Sequence, residues 1–532
     1  MLTILIGRAK TGKSDTMLRR MAELGESSQQ ILLVPEHASH QAEVDVCRAC
    51  GDTASRHAEV LSFRRLGERV LSITGGIADV TLDNGGKLLT LQRALLETAP
   101  QMTVYRKPSQ KVGFLEQMLA LFDELQCYEV TPERLYEQAQ SLTGATRDKL
   151  LDLSLLYGAY EARLRRPGLD SRDRMTKLCE HLEESAYVRD KNIFIDGFTY
   201  FNAQERRVLS VFLRQARSVT ITLLGEPDSA EEMFQVSLRT RDQLTRLADQ
   251  AGCPWEVRTL TSADDSALGY LEHHFFGEGE PYQGDSSAIR VREADTAFSE
   301  VEQTAADIRR LVAAGKCRYR DITVAARNMT DYEGTIETVF ERYSIPAYLS
   351  RRSSMLEKPV WSLITGVLSA LENGLEYEDM FRWLKTGLAG LMPEECDELE
   401  NYVLTWEIHG KMWLRDVDWT DNPDGYGAPW DKRRQARLDR VNELRRRVRA
   451  PLAELYEGLK GGVTAGEKVN SLYSFLEHLN LQNALEEQMR AQAEAGRLQD
   501  AEETAQLWEI LCAILDQFVE ILGDEPMGTD EF

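Results

Sequence analysis

Apolar positions along the chain follow two rhythms. A short β-rich run, LTILI (2–6), ends at a glycine-rich turn, and beyond it Met17, Leu18, Met21 and Leu24 fall at helical spacing; this predicts strand, loop, helix. QILLVP (30–35) and AEVLSF (58–63) are further short apolar runs, each followed by a helical pattern, so the chain is expected to begin as parallel α/β structure. From about Leu82 to Asp190 the rhythm lengthens into amphipathic helices such as GFLEQMLALFDELQCYEV and TRDKLLDLSLLYGAYEARLRR, with no convincing strand between them. Strands return at NIFIDGF (192–198) and SVTITLLGEP (218–227), on either side of the helical NAQERRVLSVFLRQ. The first core is thus expected to resume after an all-helical insertion.

The stretch FFGEGEPYQGDSS (275–287) reads as a linker. After it, AIRVREA, DITVAAR and PAYLS are expected to be strands around the helix AFSEVEQTAADIRRLVAAG, the beginning of a second α/β core. From Trp361 onward nearly every segment has a helical pattern and the chain stops at GDEPMGTDEF without returning to a strand, which suggests a fragment. The expected organisation is 1–81 plus 190–280 as the first core, 82–189 as a helical insertion, 286–360 as the start of the second core and 361–532 as a second helical insertion.

At 532 residues the chain exceeds one hydrophobic core, and three or four domains or subdomains are expected. Hydrophobic content of 42% with 28% charged residues is ordinary for a globular protein, and no apolar run is long enough for a membrane span. The five-residue apolar start lacks a cationic leader, so no signal peptide and a cytoplasmic location are expected. A net charge of -24 argues against adhesion to nucleic acid over the whole surface, while leaving room for a local basic channel. The basic run WDKRRQARLDRVNELRRRVRA (430–450) reads as a solvated helix face rather than a nucleic-acid groove. Of the 8 cysteines only Cys47 and Cys50 are close, on a helical pattern, and thiols rather than metal ligands are expected there.

The candidate chemistry starts at Gly7-Arg8-Ala9-Lys10-Thr11-Gly12-Lys13-Ser14, which fits G-x-x-x-x-G-K-[ST] at every fixed position. Glycines let the backbone curl until several N–H groups face one phosphate, and the following helix adds its positive end. Lys13 would meet the β/γ-phosphates and Ser14 would ligate Mg²⁺; the alternative is an incidental glycine-rich turn. Asp196, at the end of NIFI, is the candidate second carboxylate for the hydrated Mg²⁺, with a capping or turn aspartate as its alternative. Gly197 follows it and cannot act as a base. Glu205 could substitute as a base or could be a plain glutamate at a helix start. His37, His40, Phe63, Arg64 and Arg65 lie just past two core strands, on the sheet edge where ligands bind. They could stack on or pair with a single strand, or be structural.

GRAKTGKS, LVPEHASHQAE, EVLSFRRL, IFIDGFTYFNAQE and the stretch EVEQTAADIRRLVAAGKCRYRDITVAARNMTDYEGTIETVF, followed by IPAYLSRRSSMLEKP, resemble the AddB family. These are second subunits of bacterial helicase-nucleases that process double-strand DNA breaks. The resemblance spans essentially the whole chain, strongest in its α/β segments. RYRDITVAARN is also similar to the start of the second motor core of UvrD-like superfamily-one helicases, which implies that Arg327 approaches the γ-phosphate; it could equally pair within its own domain.

The resemblance implies an α/β P-loop NTPase of superfamily-one helicase type, with parallel-sheet RecA-like cores and large all-helical insertions. It implies ATP and Mg²⁺ as cofactors, single-stranded DNA in a channel that scans for a regulatory sequence, and a heterodimer with an AddA-like helicase-nuclease subunit. Hydrolysing helicases of this layout usually carry Glu where Gly197 stands, so the implied motor is degenerate and no residue is assigned as catalytic. An iron-sulfur cluster is expected only in a nuclease domain whose motif and four-cysteine cluster do not appear in this sequence. The final helicase motifs and the adenine-reading glutamine motif are absent as well. The expected role is an ATP-binding, DNA-engaging subunit of a break-processing complex in recombinational repair. An autonomous ATP-dependent helicase and a non-hydrolysing scaffold remain the alternatives.

Overall fold

The computed structural model describes residues 1–51, 53–75, 82–107, 112–166, 169–170, 174–227, 229, 231–261, 264–275, 279–349 and 355–532. The chain divides into two compact units, one formed by Met1–Ser262 with Pro359–Phe532 and the other by Ala263–Lys358. The strands of the first unit are β1 (Leu2–Gly7), β2 (Gln30–Leu33), β3 (Ala58–Leu61), β4 (Arg165–Arg166), β5 (Leu169–Asp170), β6 (Asn192–Ile195), β7 (Ser218–Leu224) and β8 (Trp255–Thr259). β4 and β5 form an antiparallel pair by themselves. The other six make one sheet in the order β3-β2-β6-β7-β1-β8, with every neighbouring pair parallel.

β2 and β6 read as short apolar runs, and β1 and β7 as apolar runs interrupted by threonines, because a parallel sheet is covered on both faces. Alternate residues then supply two separate cores. Leu2, Ile4, Ile6, Ile31, Leu33, Ile193 and Ile195 pack on one side with residues of helices Phe63–Thr74, Arg174–Glu184, Ala203–Gln215 and Gln235–Gln250. Leu5, Leu32 and Phe194 pack on the other with Met17 and Met21 of helix Lys13–Leu24 and Val46 of helix Ser39–Cys50. This α/β architecture, carrying large helical insertions, is the one the apolar pattern predicts. β8 is an addition to that pattern: WEVRT has one apolar interior residue and sits at the sheet edge, half in solvent, held by its ladder to β1.

Between β3 and β6 the chain forms helices Asn84–Thr98, Val112–Cys127, Pro132–Gln140 and Gly144–Leu164 around a core in which Phe122 stacks on Tyr157 at 4.7 Å. The buried Asp152 carboxylate accepts the backbone N–H groups of Thr103, Val104 and Tyr105 at 2.7–3.0 Å. It thereby satisfies three donors of a segment that has no ladder of its own. The small β4–β5 pair is a departure from the all-helical expectation here.

Helices Pro359–Glu372, Tyr377–Leu384, Pro393–Thr405, Lys432–Gly461, Ala465–His478, Leu481–Glu494 and Leu498–Leu522 complete the first unit. Arg93, on helix Asn84–Thr98, pairs with Glu525 just past the last of them at 2.6 Å. The basic run lies on Lys432–Gly461, and its charges are met by acids from elsewhere: Arg437 by Asp424 at 2.6 Å, Arg447 by Glu395 at 3.0 Å, Arg449 by Asp416 at 2.8 Å. Arg445 is buried beside the Trp419 ring, 5.1 Å from its centroid. The run is a neutralised helix face.

The second unit contains helices Ala267–His274, Ala297–Ala313 and Glu333–Arg342, with Val301, Ala305, Ile308, Ile336, Val339 and Phe340 as its core. The strands expected at AIRVREA, DITVAAR and PAYLS are not formed among the described residues. Residues 322–326 run outside any helix and have no ladder neighbour among the described residues, and Val291 of the first segment is 93% exposed. A strand is defined by the partner that takes its N–H and C=O groups, and local β-propensity does not supply one. The last residue of PAYLS, the following RRSS, and residues 276–278 of the expected linker lie outside the described residues.

Candidate nucleotide-binding site

β1 delivers the chain to the carboxyl edge of the sheet at Gly7, and the helix begins at Lys13. The residues between them form the loop predicted from GRAKTGKS. Lys10 and Gly12 both sit in the left-handed region, at φ 56° and 76°, and Gly12 is the N-cap of the helix with no side chain to cap it. The first turn of the helix therefore presents backbone N–H groups without side-chain acceptors, the arrangement that suits a phosphate. Gly7 is required for a different reason: a Cβ there would stand 2.4 Å from the Leu260 carbonyl oxygen and 2.5 Å from Thr11 Oγ1.

The Lys13 ammonium is folded back over the loop, donating to Gly7 O at 2.7 Å, Arg8 O at 2.6 Å and Thr11 Oγ1 at 3.3 Å. Thr11 Oγ1 in turn donates to Arg8 O at 2.9 Å. The Arg8 side chain is buried, paired with Glu226 at 2.9 Å and Glu231 at 3.3 Å, and 4.9 Å from the centroid of Phe234. Ser14, in the first turn of the helix, is exposed to solvent. A nucleotide polyphosphate fits this donor set: curled backbone, an ammonium within the loop and a hydroxyl at the helix start.

Asp196 leaves the end of β6 on the same edge. One strand, β7, separates β6 from β1, which places Asp196 roughly 10 Å across the sheet from the loop, at about 4.8 Å per strand. Its Oδ1 accepts from the buried Thr222 hydroxyl on β7 and from Gly197 N at 3.0 Å. These bonds fix one carboxylate oxygen; the other is the one that would meet metal-bound water if Mg²⁺ were held here. Among the described residues no group of three or more His, Cys, Asp or Glu is arranged to hold a metal. A Mg²⁺ fitting here would rest on Ser14, Asp196 and the phosphates themselves.

Gly197 has φ 82°, and a Cβ on it would meet Pro35 Cδ at 3.2 Å. The position that follows Asp196 thus disfavours a glutamate by its backbone conformation and by the nearness of Pro35. Gly197→Glu is expected to lower the unfolding free energy by about 1–2 kcal/mol, measured by chemical denaturation, with no gain in ATP turnover. Glu205 is a capping residue: its carboxylate accepts Asn202 N, and Asn202 Oδ1 accepts Glu205 N, both at 2.8 Å. Burial pushes its carboxyl upward, but its lone pairs are aimed at the helix start and it supplies no base.

His37 and His40 are exposed on the loop and helix after β2, Arg64 pairs with Glu68 at 3.4 Å and Arg65 with Glu43 at 2.8 Å. Phe63 takes the structural one of its two readings: it is 7% exposed and meets Phe198 edge-on at 5.5 Å, because the first residue of its helix faces the sheet. Arg327 belongs to the second unit, where it lines a cleft of about 670 Å³ with Glu300, Asp331 and Tyr332. Cys47 and Cys50 are free thiols at the end of one helix. Thr222 and the two glutamates that hold Arg8 escape sequence reading, since no local motif marks them.

The likeness to known proteins runs the length of the chain. The family described as "ADDB, N-terminal" matches residues 4–272. Proteins named as a subunit of an ATP-dependent helicase/deoxyribonuclease are similar to the chain throughout. The one from Desulforudis audaxviator is 33% identical over 561 residues, covering 100% of this chain and 48% of its own length. That from Geobacillus thermodenitrificans is 32% identical with the same coverages, and that from Clostridioides difficile is 30% identical. The chain spans about half the length of these curated relatives.

Proposed function

The chain belongs to the AddB N-terminal family, and from that premise we propose that it is the ATP-binding, DNA-engaging, helicase-like portion of a subunit in a helicase-nuclease that processes double-strand breaks for recombinational repair. Its motor holds nucleotide and does not hydrolyse it efficiently. The observation that carries this reading is Gly197, left-handed and packed against Pro35 immediately after the Asp196 carboxylate. The loop backbone, the Lys13 ammonium and the Ser14 hydroxyl serve binding, and the residue after Asp196, where a base is expected, is a glycine.

In this reading the backbone of Gly7–Ser14 and the Lys13 ammonium take the polyphosphate, and Ser14 with Asp196 orients Mg²⁺. Bound Mg²⁺ neutralises phosphate charge; Thr222 keeps the Asp196 carboxylate in place for it. Arg327 is the residue assigned to the γ-phosphate from the second core, whose start is residues 286–360, while 82–189 and 361–532 serve as helical insertions. The names of the relatives, each a subunit of a helicase/deoxyribonuclease, support a partner subunit and a DNA substrate; that the partner is of AddA type and the location cytoplasmic are further parts of the proposal. No helix among the described residues is long and apolar enough to cross a membrane.

Calorimetry with Mg-ATP, paired with steady-state turnover in the presence and absence of single-stranded DNA, tests the proposal. Saturable binding with turnover at baseline is the expected result. DNA-stimulated turnover would replace it with an autonomous helicase, and absence of binding with a scaffold that keeps the loop as a relic.

A further inference from the structure

The phosphate loop contains a buried arginine that the nucleotide-binding pattern does not require. Arg8 occupies a position that G-x-x-x-x-G-K-[ST] leaves unspecified, yet its side chain is 8% exposed and its guanidinium meets two carboxylates, Glu226 at 2.9 Å and Glu231 at 3.3 Å, beside the Phe234 ring. Both glutamates belong to the segment that leaves β7. Gly225 N donates to Gly7 O at 3.0 Å, and Phe234 is buried in the core, its N donating to Glu231 O at 3.1 Å within a turn. Arg241, on the helix that follows, donates to Pro227 O at 3.1 Å.

The backbone of the same residue is tied to the phosphate-binding group. Arg8 O accepts from Lys13 Nζ at 2.6 Å and from Thr11 Oγ1 at 2.9 Å. When the Lys13 ammonium turns to a phosphate, Arg8 O loses one of these two donors, and the residue that carries it is also the one that positions the guanidinium. Arg8 thus joins the group that changes partners on binding to a segment more than 200 positions later.

The electrostatics set a sign. Two carboxylates beside a site for a polyanion oppose binding, and Arg8 offsets part of their charge in a half-buried setting where screening is incomplete. We infer that Arg8 is a positioning residue that neutralises Glu226 and Glu231 beside the phosphate loop and couples nucleotide occupancy to the segment Gly225–Phe234. This inference rests on the reading of the loop as a nucleotide site. It adds a device by which a motor that hydrolyses poorly still signals its nucleotide state: occupancy alters the loop, and the loop alters the segment after β7.

A charge-compensation set in the 532-residue chain tests it. Arg8→Met is expected to weaken Mg-ATP binding by about tenfold, the scale of one unscreened charge near a polyanion, with the loss shrinking at high salt. The triple variant Arg8→Met, Glu226→Gln, Glu231→Gln removes the uncompensated carboxylates and is expected to bind within about threefold of the parent protein. A purely structural arginine predicts the opposite, a triple variant at least as impaired as the single one.

Hydrogen exchange supplies the second readout. Mg-ATP is expected to change exchange in 225–234 of the parent protein and to leave that segment unaltered in the triple variant. Parent-level affinity in Arg8→Met, or no exchange change in 225–234 of the nucleotide-bound parent, overturns the role given to Arg8 and leaves the nucleotide site standing. A parent protein that binds no Mg-ATP overturns both.

Discussion

Gly7→Ala is expected to remove about 3 kcal/mol of stability and to reduce Mg-ATP affinity at least tenfold. The added Cβ would stand 2.4 Å from the Leu260 carbonyl oxygen and 2.5 Å from Thr11 Oγ1. The first is backbone, anchored by Leu260 N donating to Ile6 O at 2.8 Å at the end of the β1–β8 ladder, so relief by rotating a side chain is closed. The second is the hydroxyl that donates to Arg8 O; pushing it aside opens the loop. Gly12→Ala is the control, since nothing lies within 4 Å of its Cβ and only the φ of 76° is penalised, at about 1 kcal/mol. Chemical denaturation of both variants, with calorimetry on each, separates crowding at Gly7 from conformational strain at Gly12. A Gly7→Ala loss no larger than that of Gly12→Ala would show that crowding at Gly7 does not set the requirement for glycine there, since Gly7 lies outside the left-handed region.

The candidate nucleotide site is legible in the sequence to the extent that its parts are local. GRAKTGKS carries its own geometry, because a left-handed Gly12 and a lysine one residue on determine where the loop turns and which charge it offers. Asp196 is legible through position, as the first polar residue after an apolar run. What holds it, the Thr222 hydroxyl on the neighbouring strand, is not, because a register of parallel strands is set by the whole sheet. Arg8 is the extreme case: its partners lie 218 and 223 residues away, and nothing near position 8 announces them.

Of the two readings open to Phe63, stacking on a strand or a structural role, the structure takes the second, since a helix of period 3.6 turns its first residue toward the sheet while Arg64 and Arg65 turn outward. DITVAAR reads as a strand and has no ladder partner among the described residues, whereas WEVRT carries no strand pattern and is one, because β1 offers it an edge. Strand formation depends on an available partner, a property that no window of sequence contains. The reverse holds for Glu205, whose plainest reading, a residue at a helix start, is its actual role in a reciprocal cap with Asn202.

Lys13→Ala is the second large effect, and its value lies in separating binding from folding. The ammonium is shared among Gly7 O, Arg8 O and Thr11 Oγ1, yet neither carbonyl depends on it alone. Gly7 O also receives Gly225 N at 3.0 Å, and Arg8 O also receives the Thr11 hydroxyl at 2.9 Å. Truncation therefore leaves no orphaned carbonyl, and stability is expected to fall by less than about 1 kcal/mol. Affinity is a different matter. A charge-assisted bond to phosphate is worth about 1.5–3 kcal/mol. The other cations of the loop do not replace it, because Arg8 is occupied by Glu226 and Glu231 and Lys10 is exposed on a left-handed turn ahead of the helix. A hundredfold loss of Mg-ATP affinity, about 2.7 kcal/mol, with an almost unchanged denaturation midpoint, is the expected result. A variant that binds within about threefold of the parent would place the nucleotide elsewhere than on this loop, and the reading of Gly7–Ser14 would have to be withdrawn.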